Sequence, residues 1–424
     1  MEITDRRLRT VAHCAAAALL MLATVRCGSS VTTPSTFTLS GVITDAATAS
    51  PIASAHVDLL NGSTLLESTT ADGAGKYTLT NIASGTDTVR ASANGYVTQS
   101  MPITVSASAT VNVGLSAATS TASATLVDAL DASAVSGVTA TGQSLSGGPS
   151  DASGNLNLVV AGSSAAPRSI VLDGSAVYER RTAMRVPGPA AVISLITTGI
   201  DMTGFDQMFR GGQGLKRWTS APQLILETRT LQYVNTNSVF SATALSENMT
   251  DDEVSTWLAD LAWGLPQMTG GTFQAFASIT VRTTPPGQVA NQSNVGFITV
   301  AREQGMNAAT GTTLGLGTWL QNPDFSVAGG ILTLDRDEDM TTGPVRRIIR
   351  THELGHSLGY SHVTSQLSVM SPNCCAIDTL TAFDLAVTKI AFQRPPGSTT
   401  PDTDPAGNSV NVQGGAPSWV PPIR

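Results

Sequence analysis

The chain has 424 residues, 41% of them hydrophobic and only 13% charged, and a formal net charge of −8. That length predicts two to four domains. The acidic balance and the presence of only three lysines (Lys76, Lys216 and Lys389) leave no basic stripe for nucleic acid and bear mainly on solubility.

Residues 1–27 read as an export signal. Arg6, Arg7 and Arg9 precede an apolar stretch at 11–25 that is too short to span a bilayer comfortably. Cys27-Gly28-Ser29-Ser30 resembles the acylation site of a bacterial lipoprotein, although Arg26 stands where a small residue is normal. A lipid anchor at Cys27 and plain secretion both remain open. Either way the expected location is outside the cell or on the outer surface of a bacterium. Cys14 would leave with the signal, and Cys374 and Cys375 are adjacent. Their Cα atoms would lie about 3.8 Å apart, below the usual disulfide range, so they read as two small thiols in a loop.

Residues 28–37 form a Ser/Thr linker, and 38–117 read as strand and turn. Val111, Val113 and Leu115 alternate, as do Tyr77 and Leu79, while Asp72-Gly73 and Asn94-Gly95 mark turns. Four pieces occur in order: Ser40-Gly41-Val42-Ile43-Thr44-Asp45, Pro51-Ile52-Ala53, Gly75-Lys76-Tyr77-Thr78-Leu79 and Ala93-Asn94-Gly95-Tyr96. That order resembles the carboxypeptidase regulatory-like domain, a transthyretin-type β-sandwich. His56 on one of these strands reads as a surface or packing residue. Residues 118–199 look like a divergent second copy. Asp151-Ala152-Ser153-Gly154-Asn155-Leu156 parallels Asp72-Gly73-Ala74-Gly75-Lys76-Tyr77, and Ala191, Ile193 and Leu195 parallel the last alternating strand.

The pattern changes over 200–395. Residues 223–229 read as a strand. Thr250-Asp251-Asp252-Glu253 is a capping box that opens a helix to about residue 263. Strands are predicted at 273–282, 295–301 and 329–335. Pro344 starts a helix in which Val345, Ile348, Ile349, His352 and His356 keep helical spacing. A last amphipathic helix covers 380–392. Residues 396–424, rich in Pro, Gly, Ser and Thr, read as a disordered tail.

The chemistry concentrates in His352-Glu353-Leu354-Gly355-His356-Ser357-Leu358-Gly359-Tyr360-Ser361-His362, which fits H-E-x-x-H-x-x-G-x-x-H. Two histidines four apart share one helix face and can reach one metal ion. Gly359 permits the positive φ at which the chain leaves the helix and brings His362 back as a third ligand. Three protein ligands leave the fourth position of a catalytic zinc open. Glu353, beside the first ligand, suits a general base. Chance is a poor rival, because three of the chain's five histidines fall in this one string.

Ser368-Val369-Met370-Ser371-Pro372 follows at the distance of a methionine turn. With the extended histidine string, it resembles the metzincin zinc metalloproteases, in which the methionine packs under the imidazoles. The matrixins look closest. The resemblance implies calcium ligands at Asp335 and Glu338, with a solvated acidic loop as the alternative, and a structural role for Asp384. It also implies that a peptide substrate pairs as an added strand along 329–335 and that 371–375 shape the adjoining pocket. Three features depart from the matrixins: no histidines remain for a second zinc, Val363 replaces a serine, and no cysteine-switch propeptide is visible. Astacins fit less well, because Pro372 stands where their tyrosine would.

The fold expected is therefore multidomain: two all-β transthyretin-like sandwiches followed by an α+β catalytic domain of metzincin type. The expected function is a secreted or surface-anchored zinc endopeptidase acting on peptides or proteins. The alternative is a surface adhesion or binding protein with a vestigial metal domain; no partner of the sandwiches can be named.

Overall fold

The computed structural model describes residues 35–142, 145–161, 166–186, 188–311, 313–341, 343–373, 377–406 and 416–423. The export signal, Cys27, Cys374 and Cys375 lie outside them. The chain divides into two compact units.

The first unit runs through Thr44 and includes Pro51–Ala91 and Gln99–Val113. It is built from two small sheets. In one, Thr36–Asp45 pairs antiparallel with Lys76–Ala83 and parallel with Ala109–Thr110. In the other, the order is Thr64–Thr70, His56–Asn61, Gly85–Ser92, Gln99–Val105. Alternation drives much of the packing: Leu39, Ile43, Tyr77, Leu79 and Val89 are buried between more exposed neighbours, while Val57–Leu60 is buried throughout. A Cβ on Gly41 would fall 1.9 Å from the Val111 carbonyl oxygen, so only glycine admits this approach. His56 sits at the surface, with Nε2 2.9 Å from Asp58.

The second unit holds Asp45–Ser50, Ser92–Thr98 and everything from Gly114 onward. Its first part is the expected second β-fold. Ala191–Leu195, Thr119–Asp128, Asn155–Ala161, Leu145–Gly147, Thr139–Gly142, Ala166–Asp173 and Arg180–Val186 are hydrogen-bonded in that order around Leu126, Val138, Leu156, Leu158, Ile170, Leu172 and Leu195. The parallel between the two copies extends to single hydrogen bonds. Asp72 accepts the amides of Ala74 and Lys76 at 2.9 Å each; Asp151 accepts those of Ser153 and Asn155 at 2.9 and 2.8 Å.

From residue 200 a mixed sheet forms. Its order is Val289–Asn291, Ser241–Asn248, Gln223–Gln232, Phe297–Gln304, Val327–Asp335, Gly315–Gln321, Ser418–Trp419, with Ile279–Arg282 also pairing Gln223–Gln232. Of the span 273–282 expected as a strand, only Ile279–Arg282 is one; Phe273 and Phe276 fill the core instead. The capping box forms as expected, and its helix runs on as Asp251–Met268. Two further helices, Gly343–Ser357 and Ala382–Ala391, complete the frame. Among the described residues no helix is long and apolar enough to cross a membrane.

Buried ion pairs tie these pieces together. The Arg350 guanidinium meets Asp260 at 3.2 Å, Glu338 at 3.1 Å and Asp339 at 2.8 Å, and lies 4.4 Å over the Trp257 ring. Arg302 joins Glu253 and Asp339, both at 2.8 Å.

The boundary expected at 395 and the disordered tail need correction. Asp402–Thr403 adds a parallel strand to Arg180–Val186, and Ser418–Trp419 pairs with Gly315–Gln321. The cause is charge. Asp402, fully buried, lies between Arg180 at 2.8 Å and Arg394 at 2.6 Å. Arg394 also donates to Ser194, and Gln393 to the carbonyl of Ala129. Residues of the second β-fold, including Ala129 and Ile196, share one apolar core with Phe205, Trp257 and Leu354. A fragment cut at 201–395 would strip Arg394 of its carboxylate and expose that core. Asp402→Ala should therefore cost about 3–5 kcal/mol, the scale of an orphaned buried charge. Urea denaturation measures this; a loss under about 1 kcal/mol, the scale of an exposed pair, would show the network to be dispensable.

Candidate metal centre

The helix Gly343–Ser357 carries His352 and His356 one turn apart on its buried side. Two residues past its end, Gly359, with a φ of +104°, turns the chain so that Tyr360 donates its amide to Gly355 and His362 comes back toward the helix. The three Nε2 atoms lie 3.0, 3.2 and 3.3 Å from one another. A tetrahedral ion with nitrogen ligands at 2.0–2.1 Å would set those separations at about 3.3 Å. Among the described residues this is the one group of three or more His, Cys, Asp or Glu with converging ligand atoms.

The opposite ring nitrogens set the tautomers. His352 Nδ1 lies 2.6 Å from the Val369 carbonyl, and His356 Nδ1 lies 2.7 Å from that of Tyr360. Each Nδ1 must then be the donor, leaving Nε2 with its lone pair toward the centre. Burial holds all three imidazoles below their ordinary pKa, His352 down to about 4. Neutral rings with inward lone pairs at such separations repel unless a cation sits among them. This donor set fits Zn²⁺.

Three glycines bring the sheet onto the helix. A Cβ on Gly315 would lie 2.4 Å from Glu353 Oε1, one on Gly317 2.3 Å from His356 Cβ, and one on Gly330 2.4 Å from the Ser357 carbonyl oxygen. Glu353, 5% exposed, thus lies against the strand Gly315–Gln321. No sequence signal was read for this strand: Gly315 and Gly317 share the helix-facing side with Trp319, while Leu316 packs into a separate cluster on the other face.

Met370 is fully buried under the helix, close enough that a Cβ on Gly355 would meet its Sδ at 2.4 Å. Asp384 fixes the turn before it, accepting from the Ser368 hydroxyl at 2.5 Å and the Val369 amide at 3.0 Å. The same Val369 offers its carbonyl to His352.

Two expectations change. The strand Val327–Asp335 has hydrogen-bonded neighbours on both sides, Phe297–Gln304 and Gly315–Gln321, so no substrate can pair along 329–335. On that side the sheet continues through Gly315–Gln321 to Ser418–Trp419. The other concerns Asp335 and Glu338. Asp335 uses one oxygen on the Asp337 amide and the other on that of Asn307, both at 2.9 Å. Glu338 faces Arg350. The guanidinium supplies the positive charge that calcium was expected to bring.

Comparison with known proteins adds one module. Residues 38–117 match the profile of the carboxypeptidase regulatory-like domain. No curated protein matches the chain. Among solved structures, the Bacillus anthracis TIE protein shares 13% identity at a TM-score of 0.29, covering 38% of this chain and 34% of its own. The shaft pilin SpaA from Lactobacillus rhamnosus GG shares 13% at 0.19, covering 40% of this chain and 100% of its own. A cohesin–X-dockerin complex from Acetivibrio cellulolyticus shares 25% at 0.15, covering 18% and 51%. The chain spans about a third of the TIE protein, and similarities of this size fix neither architecture nor role.

The buried imidazoles make metal-free stability depend on pH. Their folded pKa values lie below the unfolded value near 6.5, so the unfolded state takes up protons first as pH falls. With a chelator present, stability should hold above pH 6.5 and decline from there toward pH 4. Urea midpoints across that range test it; a midpoint that rises on acidification has the wrong sign.

Proposed function

We propose that the chain is a zinc-dependent endopeptidase of metzincin type, exported and acting at or beyond the outer surface of a bacterium. The observation that supports it most is the triangle of His352, His356 and His362 Nε2 atoms, with the Glu353 carboxylate one residue from the first. The frame around the triangle is consistent with the same reading. It comprises a methionine packed beneath, a glycine turn between the second and third histidines, and an antiparallel strand across the helix.

His352, His356 and His362 would hold the zinc. When bound, the ion supplies the Lewis acidity that makes a water acidic near neutral pH and polarises a carbonyl. Glu353 takes the proton of the attacking water and returns it to the leaving amine nitrogen as the peptide bond breaks. The burial of Glu353 and its helix-anchored backbone hold it in place for both transfers. The strand Gly315–Gln321 would offer its backbone edge to an extended peptide once residues 418–423, which pair with it, are displaced. Calcium does not enter this proposal, for the reasons of geometry at Asp335 and Glu338.

The second reading is a surface adhesion or binding protein, with the sandwiches as working parts and the metal centre vestigial. Its support is the matched carboxypeptidase regulatory-like module at 38–117.

Mutation separates the roles. Glu353→Gln keeps shape but cannot accept a proton; it should retain zinc and lose roughly two or more powers of ten in peptide cleavage. His356→Ala removes a ligand and should lose both metal and activity. Elemental analysis and cleavage of a mixed peptide library, followed by mass spectrometry, are read side by side. Cleavage by Glu353→Gln at the parent rate would falsify the mechanism, and a zinc-loaded parent that cleaves nothing would favour adhesion.

A further inference from the structure

The outer edge of Gly315–Gln321 is already taken. Leu320 pairs with Trp419 and Gln321 with Ser418, antiparallel. The ladder continues past that strand. The Val420 amide donates to the Trp319 carbonyl at 2.9 Å, the Ile423 amide to that of Gly317 at 2.9 Å, and the Gly317 amide returns to Ile423 at 3.3 Å. The Thr318 hydroxyl donates to the Val420 carbonyl. Gly317 thus has two faces: its α-carbon abuts His356, and its amide edge faces Ile423. Residues 418–423 run beside Gly315–Gln321 at one strand spacing (roughly 4.8 Å) as far as Gly317, the residue that abuts His356.

Side chains hold the segment down. The Trp419 ring packs edge-on to Phe240 at 5.7 Å, and Val420 and Ile423 rest on the main core. Within the segment, the Val420–Pro421 and Pro421–Pro422 bonds are tertiary amides with a ring on the nitrogen that would leave. Such a segment can pair by its flanking residues yet resist cleavage at its centre.

We infer that residues 418–423 act as an internal, substrate-like strand that competes with peptides for the edge of Gly315–Gln321 and holds the endopeptidase in a restrained state. The inference deepens the proposed function and rests on it for the word substrate. It requires that a true substrate displace the strap or that the strap be removed beforehand.

The test keeps the full chain. Val420→Pro combined with Ile423→Pro deletes the two amide donors without shortening the tail. Trp419→Ala is a milder companion, in case the double variant folds poorly. Zinc content is measured throughout. A fluorescent peptide with the sequence of residues 416–423 reports whether the edge is free. The expected result is unchanged zinc, peptide cleavage faster by roughly tenfold or more, and probe binding to the variants but not to the parent. Added unlabelled peptide should slow the released variants competitively. Cleavage no faster than the parent's, or probe binding alike in parent and variants, overturns the inference. If nothing is cleaved by any form while the probe still binds only the variants, the strap stands as an edge cover and the endopeptidase reading fails.

Discussion

Backbone contact between one helix and one sheet sets the working geometry. Helix Gly343–Ser357 can approach the sheet only because Gly315, Gly317 and Gly330 present no Cβ at the three points of closest approach. Side chains there would push the helix away by more than the tolerance of a metal centre, because interiors are packed without slack. The same three positions choose which helical residues meet the sheet: Glu353, His356 and Ser357. The reach of Glu353 and the depth of the imidazoles therefore follow from glycines outside the histidine string. From below, Met370 closes on Gly355, so the helix is fixed on both sides at the level of its ligands.

Charge burial does the second part of the work. The helix presents Arg350 to Asp260 on the long helix and to Glu338 and Asp339 on the turn before it, while Trp257 lies against its guanidinium face. A guanidinium suits this place because its planar fork satisfies several carboxylates at once. It also offsets the charge of the acidic run beside it. Glu338 is pushed up to about 7 by burial, with Arg350 pulling the other way, so the arrangement depends on the arginine remaining in place. Asp384 plays a comparable part at the methionine turn. Its two oxygens reach Ser368, Val369 and Thr381, and so link the last helix to the carbonyl that orients His352.

Local signals in the sequence carried far; lateral ones did not. The capping box at Thr250, the turn at Gly359 and the Asp-x-x-Gly turns at Asp72 and Asp151 are set by contacts within five residues, and each appears with its expected hydrogen bonds or φ. The histidine cluster was legible for the same reason, since eleven residues contain all three imidazoles. Strand neighbours were not legible. A peptide was expected to pair along 329–335 on the strength of a resemblance, and periodicity, which reports burial, says nothing of which strand lies alongside. The strand Gly315–Gln321 escaped notice because its glycines weaken the apolar signal that would reveal it. The partners of Asp335 and Glu338 were not legible for a related reason: Asn307 and Arg350 are 28 and 12 residues away.

The tail shows how composition misleads. Pro, Gly, Ser and Thr are poor in apolar area, and a segment rich in them seldom buries enough to fold alone. Residues 402–403 and 418–423 need not fold alone. They add to sheets that already exist, so each gains hydrogen bonds at little nucleation cost, and each brings one strong anchor: Asp402 between two buried arginines, and Trp419 against Phe240. An uncovered outer strand invites pairing with other chains. On the inference drawn above, a removable cover avoids that hazard, whereas a permanent strand would close the edge to every peptide. The short pairing at 418–419, followed by prolines that end a regular ladder, is the compromise this geometry allows.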